Sequence, residues 1–261
     1  MLKYHESDGI SLEIRVATHY SHDKHLLEMF ANGQDVHSTT AKNMFELDCE
    51  VKEVKKKYPE LRQAAKVINF GIIYGMGPYS LYQNLLNDPF NPIDLGNQEH
   101  LEKYGLKSGE EVAQKYIDMY LESYQGIAKF IKKQKSLAHR DGFVRTILKR
   151  KRRLEDINSN DYKIRAYNER LSINAPVQGG AADITSSAQI RIDRDKWFVE
   201  HECLMLLQVH DECVFECPEE YVEEAIKKIQ HYFKYPFGDD YEFVPSLESE
   251  ADFGNSYAEA K

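Results

Sequence analysis

His210, Asp211 and Glu212 stand together between two strongly apolar runs in LMLLQVHDECVFEC, residues 204–217. A carboxylate in apolar surroundings is costly unless it is paired or ligates a cation. At a hairpin tip, Asp and Glu offer hard oxygen ligands for Mg²⁺, although the same residue types also suit a solvated turn. In LRQAAKVINFGIIYGMG, residues 61–77, Arg62, Lys66, Phe70 and Tyr74 recur every four residues and share one slowly drifting helical stripe. The two cations could hold a polyphosphate while the rings pack against a base or sugar. Alternatively, the rings are core residues with cations snorkelling beside them. Gly71, Gly75 and Gly77 weaken a helix and point to a helix end, a close approach or a hinge. No GxxxxGK[ST] phosphate loop occurs in the chain.

Two further segments complete the set. From Arg170 to Asp183, RLSINAPVQGGAAD interrupts a helical pattern at Pro176. It presents Arg170, Asn174 and Gln178, whose donors suit phosphates or minor-groove acceptors; a Pro-kinked packing helix is the alternative. Six of the nine residues from Arg145 to Arg153 are basic, among them Arg145, Lys149, Arg150 and Arg152. This cluster is either the footprint of phosphate contact or a solvated charge run.

Elements must hold these groups in place. Ser11 reads as the N-cap of a helix through Leu12, Val16 and Tyr20, which leaves Asp8 just upstream at the end of a preceding strand. Further helices are expected near 22–31, 36–46, 61–75, 110–140 with a break near Gly126, 162–174, 177–193 and 219–234. The stretch 85–108 reads as a long surface loop. Cys203–Val209 and Cys213–Cys217 form a hairpin, and a last strand is expected near 243–249. Many helices and a small antiparallel sheet make the fold class α+β.

With 261 residues, 42% hydrophobic and 30% charged, the chain has the composition of a globular protein. MLKYHESDG lacks the apolar core of a signal peptide, and no window reaches the ~18 apolar residues of a membrane helix. Secretion and membrane spanning are therefore disfavoured, and an intracellular location is expected, in cytoplasm or nucleoid or a viral host's cytoplasm. Cys49, Cys203, Cys213 and Cys217 lack metal or disulfide-scaffold spacing and read as reduced thiols. A net charge of −9 argues against nonspecific nucleic-acid binding by the surface as a whole, which makes the basic cluster stand out.

Taken in order, DGISLEIRVATHYS, RQAAKVINFGIIYGM and QVHDECVFECPEE resemble the three polymerase motifs of the family A DNA polymerases, the DNA polymerase I type. GFVRTILKRKRRLEDINS and ERLSINAPVQGGAADI resemble further family segments, so the resemblance covers nearly the whole chain. It implies a right-hand architecture lacking the thumb, with palm at 1–22, fingers at 23–143 and palm again at 144–261. The activity implied is Mg²⁺-dependent transfer of a deoxynucleoside monophosphate to a primer 3′-hydroxyl.

Position by position, the resemblance makes Asp8 and Asp211 the ligands of two Mg²⁺ ions, with Glu212 a supporting acid. Arg62, Lys66 and His37 become triphosphate contacts, Lys66 also serving the chemistry. Phe70 packs against the nucleotide's sugar and base, Tyr74 lies near the templating position, and Glu13 blocks a ribose 2′-hydroxyl. Arg170, Asn174, Gln178 and His210 meet the primer–template, as the basic cluster does. The implied partners are primer–template DNA, dNTP and an N-terminal polymerase chain carrying the thumb and the rest of the palm, without which the chain is expected to be a poor polymerase. A single-subunit RNA polymerase, a two-metal nuclease and a noncatalytic nucleic-acid-binding fragment are the rival readings.

Overall fold

Asp23 shows how the sequence builds local order. Its Oδ1 accepts from the Leu26 backbone N–H at 3.1 Å, which caps a helix at Lys24–Ala31. In the computed structural model, residues 2–6 (backbone only), 12–89, 92–209, 212–256 and 259 are described. In chain order the elements are β1 (Leu2–Glu6), α1 (Leu12–Ser21), α2 (Lys24–Ala31), α3 (Val36–Met44), α4 (Val51–Lys57), α5 (Pro59–Ile73) and α6 (Pro78–Leu86). There follow α7 (Gln98–Tyr104), α8 (Gly109–Ser123), α9 (Gln125–Asp141), β2 (Phe143–Arg145), β3 (Lys151–Arg153) and α10 (Tyr162–Arg194). The chain ends with α11 (Lys196–Glu200), β4 (Leu204–Val209), β5 (Glu212–Glu216), α12 (Val222–Lys234) and β6 (Ser249–Phe253).

The chain divides into two compact units. One is Tyr20–Val177, a helical unit bearing the β2–β3 hairpin. Asp23 matters to it twice, because its Oδ2 also accepts from the Gly126 N–H at 2.6 Å. A Cβ at Gly126 would stand 2.5 Å from the Asp23 Cα, so the contact needs glycine. The other unit, Met1–His19 with Gln178–Lys261, holds an antiparallel sheet in the order β4-β5-β1-β6. Tyr4 pairs with Cys213 and Leu2 with Phe253. On this sheet, Cys213 and Phe215 pack against Val222, Ala225, Ile229 and Phe233. Those four residues recur at helical spacing and give α12 its apolar face. Cys203 belongs to this core and Cys217 packs against it, both free thiols with their sulfurs 2.7 Å apart.

Mostly helical with small antiparallel sheets, the chain is α+β, as expected. Several local expectations need correction. Pro176 does not end a helix, since α10 runs unbroken across it. The proline costs about 3 kcal/mol in a helix interior, but Ile173, Val177, Ile184, Ala188 and Ile192 are buried on either side of it. The stretch 85–108 contains α7, capped by Asn97 and closed by Gly105 at φ +64°. The last strand is β6, beginning where the expected one ended; in the earlier stretch Phe243 and Leu247 are buried without joining the sheet. α4, α6, α11 and the β2–β3 hairpin had no sequence forecast.

Asp23→Ala should destabilise the protein by about 2 kcal/mol, since it removes a cap and orphans the half-buried Gly126 N–H. Urea denaturation measures this. An unchanged midpoint would contradict the bridging role.

Candidate functional site

α5 starts at Pro59, whose missing N–H costs nothing in a first helical turn. Ala64, Ala65, Ile68, Ile72 and Ile73 are buried on one side. The opposite stripe carries Arg62, Lys66 and Phe70, with Tyr74 as the C-cap. Phe70 lies 5.8 Å from Tyr74, centroid to centroid, and 5.7 Å from the His37 ring. The structure therefore brings His37 against the stripe from α3, while Lys66 stays exposed. Gly75 ends the segment at φ +73°, a left-handed conformation suited to glycine. A Cβ there would meet Ile173 Cδ1 at 2.8 Å. The exit from α5 thus packs closely on α10 beside Arg170 and Ile173.

Asp35, which the sequence reading did not single out, organises this cluster. Its Oδ1 accepts from the His37 N–H at 3.0 Å, capping α3, and its Oδ2 accepts from Ser38 Oγ and from Arg62 Nε, each at 2.6 Å. Burial works to raise the Asp35 carboxyl, but the hydrogen bonds from Arg62 and Ser38 outweigh it and hold the group below the usual carboxylate range. Because Nε makes the bond, the two terminal nitrogens of Arg62 take no part in it. His37 is 2% exposed. Burial, aided by the Arg62 and Lys66 charges and opposed by Asp35, lowers its pKa to about 4.

A second layer fixes the His37 tautomer. Asn69 Oδ1 accepts from Thr40 Oγ1 at 3.1 Å, which turns the Asn69 amide nitrogen toward His37 Nδ1 at 2.9 Å. A neutral ring then carries its proton on Nε2 as a donor. Thr40 Oγ1 also lies 3.2 Å from the Tyr124 hydroxyl. Two signals could have found these residues. Asp35 precedes a helix in the pattern Asp-x-x-Ser, and Asn69 is a polar residue on the apolar side of α5.

The basic cluster forms β2, a tight turn and β3. Thr146 N donates to Arg150 O at 3.0 Å, and Lys149 N donates to Thr146 O at 2.9 Å. Arg145, Lys149, Arg150 and Arg152 are all exposed. Arg170 and Gln178 are exposed on α10; Asn174 is half-buried, and its Oδ1 has no hydrogen-bond partner among the described residues. Glu13 is half-buried in the first turn of α1. Glu212 opens β5 opposite Val209. Asp8, His210 and Asp211 lie outside the described residues, and among the described residues no cluster of His, Cys, Asp or Glu could hold a metal ion. No described helix is long and apolar enough to cross a membrane.

Known proteins share this arrangement of segments. DNA polymerase I of Streptococcus pneumoniae R6 is 35% identical over 86% of this chain and 23% of its own length. For DNA polymerase I of Bacillus subtilis 168 the figures are 33%, 98% and 26%. The chain thus spans about a quarter of the length of the curated relatives it matches. The POL domain of Pol1 from M. smegmatis, solved in complex with DNA primer-template and dNTP, superposes with a TM-score of 0.79 at 28% identity. That match covers 99% of this chain and 40% of the other. The family model for DNA polymerase family A matches residues 3–259, and the chain belongs to that family.

Proposed function

We propose that this chain supplies the nucleotide-binding and primer–template-binding portion of a template-directed DNA polymerase, which transfers a deoxynucleoside monophosphate to a primer 3′-hydroxyl. The observation that carries the reading is the cluster in which Asp35 holds Arg62 and caps the helix of His37, whose ring meets Phe70 and through it Tyr74, in a family A chain. Arg62 offers its terminal nitrogens, Lys66 its ammonium and His37 its Nε2 proton to a triphosphate, while Phe70 and Tyr74 provide ring surface for sugar and base. The domain reading stays as the resemblance implies, palm at 1–22 and 144–261 with fingers at 23–143. Glu13 excludes the ribose 2′-hydroxyl, and Arg145, Lys149, Arg150, Arg152, Arg170, Asn174, Gln178 and His210 meet the DNA.

Asp8 and Asp211 would hold two Mg²⁺ ions, with Glu212 beside them, and carboxylate oxygens are the donors that Mg²⁺ prefers. Bound metal would acidify the primer hydroxyl and stabilise charge on the departing pyrophosphate. In sequence, Asp8 follows β1 by two positions and Asp211 precedes β5 by one, and these strands are antiparallel neighbours. That adjacency supports the pairing. The edge strand β4 exposes Leu204, Met205, Leu206, Leu207 and Val209 by 40–50% each. We assign its cover to a polymerase portion with the thumb and the rest of the palm, since the relatives are far longer than the match.

Three outcomes test the reading. In primer extension with that portion supplied, Asp8→Asn and Asp211→Asn should each abolish incorporation while leaving primer–template binding within about threefold, because they remove metal ligands and not duplex contacts. Substantial turnover by either variant under Mg²⁺ would refute the metal assignment. Without the added portion, the chain should extend primers slowly or not at all; robust solo extension would refute the need for a partner.

The third outcome concerns acid. His37 sits at about 4 in the folded protein against an ordinary 6.5, so between these values the unfolded chain takes up a proton that the folded one refuses. Its contribution is therefore intact above about pH 6.5 and falls as the pH drops toward 4, by about 3 kcal/mol in all. The lowered Asp35 carboxyl acts in the same direction at lower pH. Urea midpoints of wild type should fall more between pH 7 and 4.5 than those of His37→Gln. Equal slopes would contradict a buried neutral His37.

A further inference from the structure

Cys203 immediately precedes β4 and Cys217 immediately follows β5. Leu204 and Glu216 are cross-strand partners, so the two cysteines face each other one position past the end of the ladder, at the open end of the hairpin. Their sulfurs are 2.7 Å apart, within about 0.7 Å of the bonded length in a disulfide. Both backbones are held. Cys203 N donates to Phe198 O at 2.7 Å, just after Glu202 at φ +54°. Pro218 restricts Cys217 before it to extended conformations. The other two cysteines have different surroundings: Cys49 lies in the other compact unit, and Cys213 sits inside the sheet opposite Tyr4, with Gln189 Nε2 at 3.3 Å from its sulfur.

We infer that Cys203 and Cys217 form a reversible disulfide site, oxidised by a low-molecular-weight disulfide, that staples the base of the β4–β5 hairpin. Exposure sets the order of events, since Cys217 is half-buried and Cys203 is 3% exposed. The Cys217 thiolate attacks one sulfur of the small disulfide, forming a mixed disulfide and expelling one thiolate. Cys203 then loses its proton to solvent and attacks the Cys217 sulfur, expelling the second. The two protein thiols give up two electrons and two protons, and the small disulfide ends as two thiols. Burial raises the Cys203 pKa, as do the hydrogen bond and charge shared with Cys217. Both contributions from Cys217 vanish once that sulfur is capped, which leaves burial alone opposing the ionisation of Cys203. The exposed Glu202, Glu216, Glu219 and Glu220 flank the pair and favour an uncharged disulfide over an anionic one.

The new bond encloses residues 204–216, with His210, Asp211 and Glu212 among them. Among the described strands β4 pairs with β5 alone, so a bond at the open end restricts the separation of these two strands. The inference does not rest on the polymerase reading, because it needs only the hairpin and its two thiols.

Incubation of the full chain with hydroxyethyl disulfide, followed by intact-mass measurement and peptide mapping, tests it. Wild type should yield a Cys203–Cys217 linked peptide two hydrogens lighter than the free pair, and dithiothreitol should reverse this. Cys203→Ala should stop at a mixed disulfide on Cys217, whereas Cys217→Ser should leave Cys203 unmodified. Amide exchange over residues 204–216 should slow at least about tenfold in the oxidised wild type, as expected when a cross-link restrains local opening. A lasting mixed disulfide on wild-type Cys217 with no link to Cys203, a link to Cys49 or Cys213 in its place, or modification of Cys203 in Cys217→Ser would each overturn the site. Unchanged exchange in the linked protein would overturn the staple. The wild-type map decides the pairing even where a variant fails to fold.

Discussion

The Asp35 carboxylate is shared between two helices, and the candidate nucleotide-binding face depends on that sharing. One oxygen caps α3; the other takes Ser38 and Arg62. Without it the first turn of α3 loses a cap, and Arg62, only 16% exposed at its side chain, is left as a half-buried cation with no counterion. Removing one partner of such a pair is far more costly than the pair is stabilising. The His37 ring is carried on the helix that Asp35 caps, so the imidazole, the guanidinium and the Phe70 ring are placed by one contact.

The electrostatic result is a face of directed donors with little net charge. Asp35 balances Arg62, His37 is neutral at pH 7, and Lys66 alone remains unbalanced in the cluster. A strong positive field would hold any polyanion. Donors fixed by hydrogen bonds select for shape, because only an anion whose oxygens match their positions recovers the bonds lost to water. The β2–β3 hairpin has the opposite character, with exposed cations on a short ribbon suited to phosphates in many positions.

Much of this was legible in the sequence where chemistry and periodicity coincide. The stripe Arg62, Lys66, Phe70 and Tyr74 could be read because a four-residue recurrence survives folding unchanged on α5. The hairpin around 210–211 could be read because two apolar runs stand too close for any other connection. Asp35 was not, since an N-cap Asp has the same sequence appearance whether or not a distant Arg reaches it; the 27-position separation of the two hides the contact. The missed α7 has a different cause. Asn97 and Gly105 are ordinary cap residues, but the prolines and asparagines just before them read as uninterrupted loop. At Pro176 local propensity was outweighed by burial on both sides, which no short window reveals.

Among the strands whose side chains are described, β4 is the one that its neighbours cover least. LMLLQV has no polar–apolar alternation until Gln208, the pattern of a strand covered on both faces. Its partner β5 meets that expectation, with Cys213, Val214 and Phe215 buried, whereas every residue of β4 is exposed. A register irregularity falls between Met205 and Leu207, and such irregularities are among the devices that blunt an open edge. No charge or proline interrupts it, and among the described strands β4 pairs with β5 alone, its outer edge presenting backbone groups beside apolar side chains. An added strand would satisfy those groups, and an added layer would cover the side chains. On the polymerase reading both come from one source, the portion of a much longer enzyme that carries the rest of the palm. The strand leading to Asp211 would then be held from two sides, which is the condition under which a metal ligand keeps its position to within the fraction of an ångström that catalysis demands.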